Sequence, residues 1–273
     1  MQLKDVQSEK DERMVPLKKV GIKGLKWPLK VQDKKRGYQF TVADITISAD
    51  LHRDLRGTHM SRFIEVLKNF EILSAKGIED ILVEIKEKLH ADSAHIELLI
   101  PYFIWKESPV TKSESPLEIC AKIYAELSDS YKIYTGVKVP IHTLCPCSKE
   151  ISAQGAHNQR AEVEIITRSK KMIWFEDLID IAEKSASCPI YTLLKRPDEK
   201  YVTEKAFGNP KFVEDVTRDV ALLLEEDSRI EWYRVEVTSF ESIHNHQAFA
   251  CVEKGWMCCD NGDNTKISEE GNE

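Results

Sequence analysis

Residues 145–157 run Cys-Pro-Cys-Ser-Lys-Glu-Ile-Ser-Ala-Gln-Gly-Ala-His and place two thiols, two hydroxyls and an imidazole between two apolar runs. Cys145 and Cys147 are separated by one residue, so they are not the CxxC of a redox site or a zinc ribbon. Thiolate and imidazole suit zinc, iron or manganese when a carboxylate joins them. The same pair suits a cysteine nucleophile served by a histidine base. Spacing does not separate these two chemistries. His157 has no apolar face to join, and Gly155 permits the sharp turn that presents it.

A second cluster, Glu241-Ser-Ile-His244-Asn-His246, interrupts strand-like sequence. In an extended run His244 and His246 face one way, as in a two-histidine metal site or an acid–base histidine held by its neighbour. Lys195-Arg196-Pro-Asp-Glu199 mixes bases with acids. That composition fits a solvated turn; inside a site, Glu199 would be a hard oxygen ligand and Lys195 or Arg196 a phosphate partner. Glu214 is expected about one turn into a helix that follows Pro210, either capping it or facing a ligand. Arg53 and Arg56 flank a Gly-Thr-His59 turn that leads into a helix, where they either bind an anion or simply start the helix. Neither a P-loop nor a strand-linked GxGxxG is present.

These residues need a frame. Tyr38–Leu51 reads as a strand, with one slip between Val42 and Ile45 suggesting a bulge. Phe63, Val66, Leu67 and Phe70 mark one helical face, and Ile81, Ile85 and Leu89 a second. Strands are expected at 95–106, 117–127, 130–140, 161–167, 232–237 and 248–252, with helices at 175–186 and along Phe212, Val216, Val220 and Leu223. The order predicts an α+β fold: antiparallel sheets with helices packed on one face, in two tandem modules. The expected division is an N-terminal extension at 1–35, a charged arm or edge extension, then modules at 36–140 and 141–257 and a polar tail at 258–273. Unpaired sheet edges point to oligomeric closure.

The 273 residues carry a formal charge of −7, which disfavours a broad nucleic-acid surface but not a small anionic substrate. No run of eighteen apolar residues suggests a membrane span, and the start lacks a signal-peptide core, so a cytoplasmic location is expected. Seven cysteines, an odd number, argue against a disulfide scaffold. Cys120 and Cys251 read as small core residues, and Cys258 and Cys259 as incidental.

The chain strongly resembles the type IB GTP cyclohydrolases of the tunnelling-fold superfamily. The shared segments are Arg56-Gly-Thr-His-Met-Ser-Arg-Phe63, Leu144-Cys-Pro-Cys-Ser-Lys149 with Gly155-Ala-His-Asn-Gln-Arg160, Leu194-Lys-Arg-Pro-Asp-Glu199, Asn209-Pro-Lys-Phe-Val-Glu-Asp215 and Glu241-Ser-Ile-His-Asn-His246. They occur in family order across most of the chain. The resemblance implies a homotetramer with interfacial sites that converts GTP and water to formate and 7,8-dihydroneopterin triphosphate. It implies a divalent metal, Mn2+ or Zn2+ with Fe2+ a further candidate, at Cys145, His157 and Glu199. Matched by position, Cys145 is the essential cysteine, His244 the proton shuttle and Glu214 the carboxylate that reads the guanine edge. Arg53, Arg56, Lys195 and Arg196 are the triphosphate candidates. Two other readings are a tunnelling-fold nitrile reductase, with Cys145 as nucleophile, and a non-catalytic purine-binding module.

Overall fold

The computed structural model describes residues 5–7 and 9–254. One antiparallel sheet holds β1 (Leu17–Asp33), β2 (Gly37–Leu51), β3 (Ala94–Glu107), β4 (Glu114–Leu127), β5 (Tyr131–Leu144), β6 (Asn158–Ser169), β7 (Cys188–Pro189), β8 (Ile230–Ser239) and β9 (Ala248–Glu253). The helices are α1 (Met60–Leu67), α2 (Ala75–Leu89), α3 (Pro146–Ile151), α4 (Phe175–Ser185), α5 (Arg196–Gly208) and α6 (Val213–Glu226). Strand order is β1-β2-β3-β4-β5-β6-β8-β9, with the short β7 paired to the end of β5. Leaving α3, α5 and the two-residue β7 aside, the chain runs twice through strand, strand, helix, helix, strand, strand. No helix of the described residues is long and apolar enough to cross a membrane.

Strand alternation builds the core. In β2, Ala43, Ile45 and Ile47 are fully buried beneath the helices, while Phe40 and Val42 stand on the open face at 82% and 50% exposure. The expected bulge in β2 is therefore absent; the parity is regular, and the register shifts fall in β1, between Leu17 and Val20 and between Ile22 and Leu25. Lys30 holds its ammonium 4.5 Å from the Tyr38 ring centroid and 5.5 Å from that of Phe40, partly covering this apolar face. Residues 17–33, within the segment read as an arm or edge extension, form the outer strand β1. Cys251 is exposed on β9, contrary to its reading as a core residue, because its parity faces away from the helices. Residues 258–273, with Cys258 and Cys259, lie outside the described residues.

Helix seams follow the same logic. Ile78, Ile81, Leu82 and Ile85 of α2 are buried, Ser74 caps the start by accepting from Gly77 N–H at 3.0 Å, and His90 ends it in the left-handed region. In α6 the buried seam is Val213, Val216, Val220 and Leu224, one residue off the expected Phe212 and Leu223 at its ends. Phe212 occupies the N-cap, where the backbone is extended, so its ring leaves the core face.

Candidate active site

The β5–β6 ladder ends on the pair Leu144 and Asn158, and Cys145 N–H extends it with a 3.1 Å bond to the His157 carbonyl. This bond makes a thiol and an imidazole neighbours although α3 separates them in sequence. Cys145 is the N-cap of α3, its Sγ accepting from Ser148 N–H at 3.3 Å, with Pro146 preset for the first turn. Gly155 then turns the chain at a φ of 74°, and Ser148 Oγ accepts from His157 N–H at 3.2 Å. Lys149 ties α3 to α5 by donating to the Phe207 carbonyl at 2.6 Å.

The α5–α6 connection closes over this hairpin. Lys211 N–H donates to the Leu144 carbonyl at 3.0 Å, and the Asn209 amide donates to Ala186 O at 3.0 Å and Ser187 O at 3.3 Å. These bonds set the first turn of α6, and Glu214 with it, beside Cys145. Phe240 N–H donates to the Arg160 carbonyl at 3.0 Å, carrying residues 241–247 across the end of β6. The result is a cleft of about 520 Å³ that Cys145, His157, Glu214, Glu241, His244 and His246 line together. The His244 and His246 rings stack with centroids 5.1 Å apart. Cys147 is exposed on α3 and does not line the cleft.

The other expected residues lie elsewhere. Glu199 is exposed in the first turn of α5, outside the lining. Lys195 and Arg196 are exposed at the start of that helix, and Arg53 is exposed before α1. Arg56 is ion-paired with Glu9. Among the described residues, Lys211 is the one lysine or arginine in the lining, and its ammonium is held by Asp219 at 2.6 Å and Ser185 O at 2.9 Å. Residue types alone assign no site role to Gln159, Thr143, Ser239, Lys211 or Phe249, and place Phe212 on a helical core face, yet all of these line the cleft. The available signal was period-two alternation, which puts Gln159 on the same side as His157.

A larger cleft of about 1030 Å³ runs between the β1–β2 turn and α4. None of Cys145, His157, Glu214 or His244 reaches it, and Lys106 with Glu183 and Arg36 with Glu114 form ion pairs across its lining. Among the described residues, Asp50, His52 and Asp92 form the one acid, histidine or cysteine trio whose ligand atoms all lie within 4.8 Å of one another. Cys145, His157 and Glu199 do not form such a group.

What read as a solvated turn at 195–199 is a helix start because Asp198 anchors it. Its carboxylate is fully buried and accepts from Thr111 Oγ1 at 2.6 Å, Val110 N–H at 2.8 Å, Thr111 N–H at 2.9 Å and Lys195 N–H at 3.0 Å. Burial opposes the charge, but these four donors outweigh it and hold the carboxyl well below the usual range. A depressed carboxyl stabilises the fold above its unfolded value of about 3.9 and loses that contribution as pH falls toward the folded value. Asp198→Asn is expected to melt below wild type at neutral pH, with the gap closing under about pH 4. A pH-independent gap in melting temperature would contradict this.

An α+β chain with one antiparallel sheet and helices on one face has the tunnelling fold, and thiol, imidazoles and carboxylates gather at its strand ends. Uricase from Arthrobacter globiformis superposes with a TM-score of 0.52 at 8% identity, covering 87% of this chain and 93% of its own. A urate oxidase of Bacillus sp. TB-90 gives 0.51 at 10%, covering 86% and 98%. Identity that low speaks for the fold alone. Residues 3–250 match the family described as type I GTP cyclohydrolase FolE2. GTP cyclohydrolase FolE2 of Thermotoga maritima is 64% identical over 253 residues, covering 93% of this chain and 98% of that protein. The protein of the same name from Dictyoglomus thermophilum is 62% identical over 255 residues, covering 93% and 99%. The chain belongs to the type I GTP cyclohydrolase FolE2 family.

Proposed function

We propose that this chain hydrolyses GTP to formate and 7,8-dihydroneopterin triphosphate, using the cleft between β5, β6, α6 and the 241–247 loop. The observation that carries the site is that separate segments bring Cys145, His157, Glu214 and His244 into one lining. In this reaction water adds at C8 of guanine, the five-membered ring opens, and a second water releases formate. Ribose opening, Amadori rearrangement and ring closure follow, and closure returns one water. Each step moves protons, and His244 is the group we assign to shuttle them, since histidine both accepts and donates near neutrality. Glu214 accepts from guanine N1–H and the 2-amino group. Adenine lacks both donors and is rejected.

Cys145 and His157 are the residues we propose to hold a divalent metal, with Glu199 as the carboxylate. Thiolate and imidazole at one cleft fit Zn2+, Mn2+ or Fe2+. When bound, such an ion supplies Lewis-acid activation of water at neutral pH. Glu199 does not line the cleft of the single chain, and Lys211 is already engaged. Both facts support a homotetramer in which neighbouring subunits complete each site and bring Arg53, Arg56, Lys195 and Arg196 to the triphosphate. We place the enzyme in the cytoplasm.

Chelator-stripped protein is expected to lose formate release and to regain it with Mn2+ or Zn2+. Full turnover after complete stripping would reject the metal. Glu199→Gln is expected to lower metal affinity by about 10-fold or more. Unchanged affinity would move the carboxylate role to Glu241.

A further inference from the structure

A histidine offers a lone pair from only one ring nitrogen when neutral, and the bonds behind the ring decide which. His157 Nδ1 lies 2.9 Å from Gln159 Oε1. The Gln159 amide nitrogen lies 3.2 Å from Ser239 Oγ, 3.4 Å from Thr143 Oγ1 and 3.4 Å from Glu241 Oε1. Ser239 Oγ donates to the same Glu241 oxygen at 2.7 Å. The other Glu241 oxygen is 4.0 Å from His157 Nδ1, and both side chains are nearly closed to solvent, at 12% and 13% exposure.

An ionised carboxylate only accepts, so Glu241 fixes the sense of the whole chain. Ser239 must donate to it, and the Gln159 NH2 must face it. The reversed amide would set a carbonyl against a carboxylate, two acceptors with no proton between them. The Gln159 carbonyl therefore faces His157, and Nδ1 must carry the proton. Sheet geometry holds these parts in place: Gln159 is the register partner of Thr143, and it follows His157 by two residues on the same side.

We infer that Gln159 and Glu241 are positioning residues that lock His157 in its Nδ1–H tautomer, leaving Nε2 as the donor atom for the cleft. Free neutral histidine prefers the opposite tautomer, so the network reverses an intrinsic preference. The use made of Nε2 rests on the proposed metal role, but the tautomer does not.

The test uses full-length, metal-free protein labelled with nitrogen-15 at histidine, with long-range proton–nitrogen correlation spectra at about pH 8, where histidine is mostly neutral. Wild-type His157 is expected to show a protonated Nδ1 and an unprotonated Nε2. Glu241→Gln and Gln159→Leu should shift the major population to Nε2–H. With Zn2+ alone as probe, each variant should bind about 10–100-fold more weakly, while amide spectra report an unchanged fold. A wild-type Nε2–H signal would overturn the inference, as would an unchanged tautomer in both folded variants. If either variant fails to fold, the wild-type spectrum alone decides. Neither metal nor GTP enters that spectrum, so failure of the cyclohydrolase reading leaves its outcome untouched.

Discussion

Cys145→Ala is expected to abolish formate release from GTP, by about 10³-fold or more, and to weaken metal binding in the same protein. The thiol stands at the mouth of the hairpin that joins β5 to β6, where its backbone is bonded to His157 and its Sγ is oriented by Ser148. Alanine keeps the backbone bond and removes only the sulfur, so the folded cleft should persist without one donor. Turnover and metal titration should fall together, with the melting temperature near that of wild type. Cys147→Ala is the contrast, because Cys147 is exposed and outside the lining. If Cys145→Ala kept both metal and full activity, the ligand role would pass to Cys147.

Glu214→Gln should act on recognition instead. The substitution preserves shape but trades a carboxylate for an amide that presents one acceptor and an unwanted donor to the guanine edge. Hydrogen bonds to a charged acceptor are worth about 1.5–3 kcal/mol each. Losing one converts to a rise of roughly 10- to 100-fold in GTP dissociation constant. Metal content should not change, which separates this variant from Cys145→Ala. GTP binding equal to wild type would show that Glu214 does not read the base.

Much of this arrangement was legible in residue types, and less of it in position. The 145–157 segment announced thiol and imidazole chemistry, but the bond that joins them comes from continuing the β5–β6 ladder, which motif spacing does not display. The α3 turn has one local signal, Pro146 directly after the N-cap residue Cys145. At 195–199 the weakly amphipathic α5 hid behind mixed charges, and only the buried Asp198 anchor reveals why the chain turns helical there. Phe40 and Val42 misled because apolar residues need not be buried; strand parity placed them on the open face. Phe212 slipped from core to cleft for a similar local reason, the extended backbone at an N-cap. Charge alone points to Arg53, Arg56, Lys195 and Arg196 as triphosphate partners, and the single chain leaves them outside the cleft.

Incubating metal-loaded protein with GTP, oxidising the product, and quantifying formate and neopterin fluorescence in the same reaction decides whether this cleft carries out the cyclohydrolase reaction. Formate and neopterin should appear in equal amounts and depend on added divalent metal. No formate above the metal-free control, across Mn2+, Zn2+ and Fe2+, would rule out metal-assisted GTP hydrolysis at this cleft.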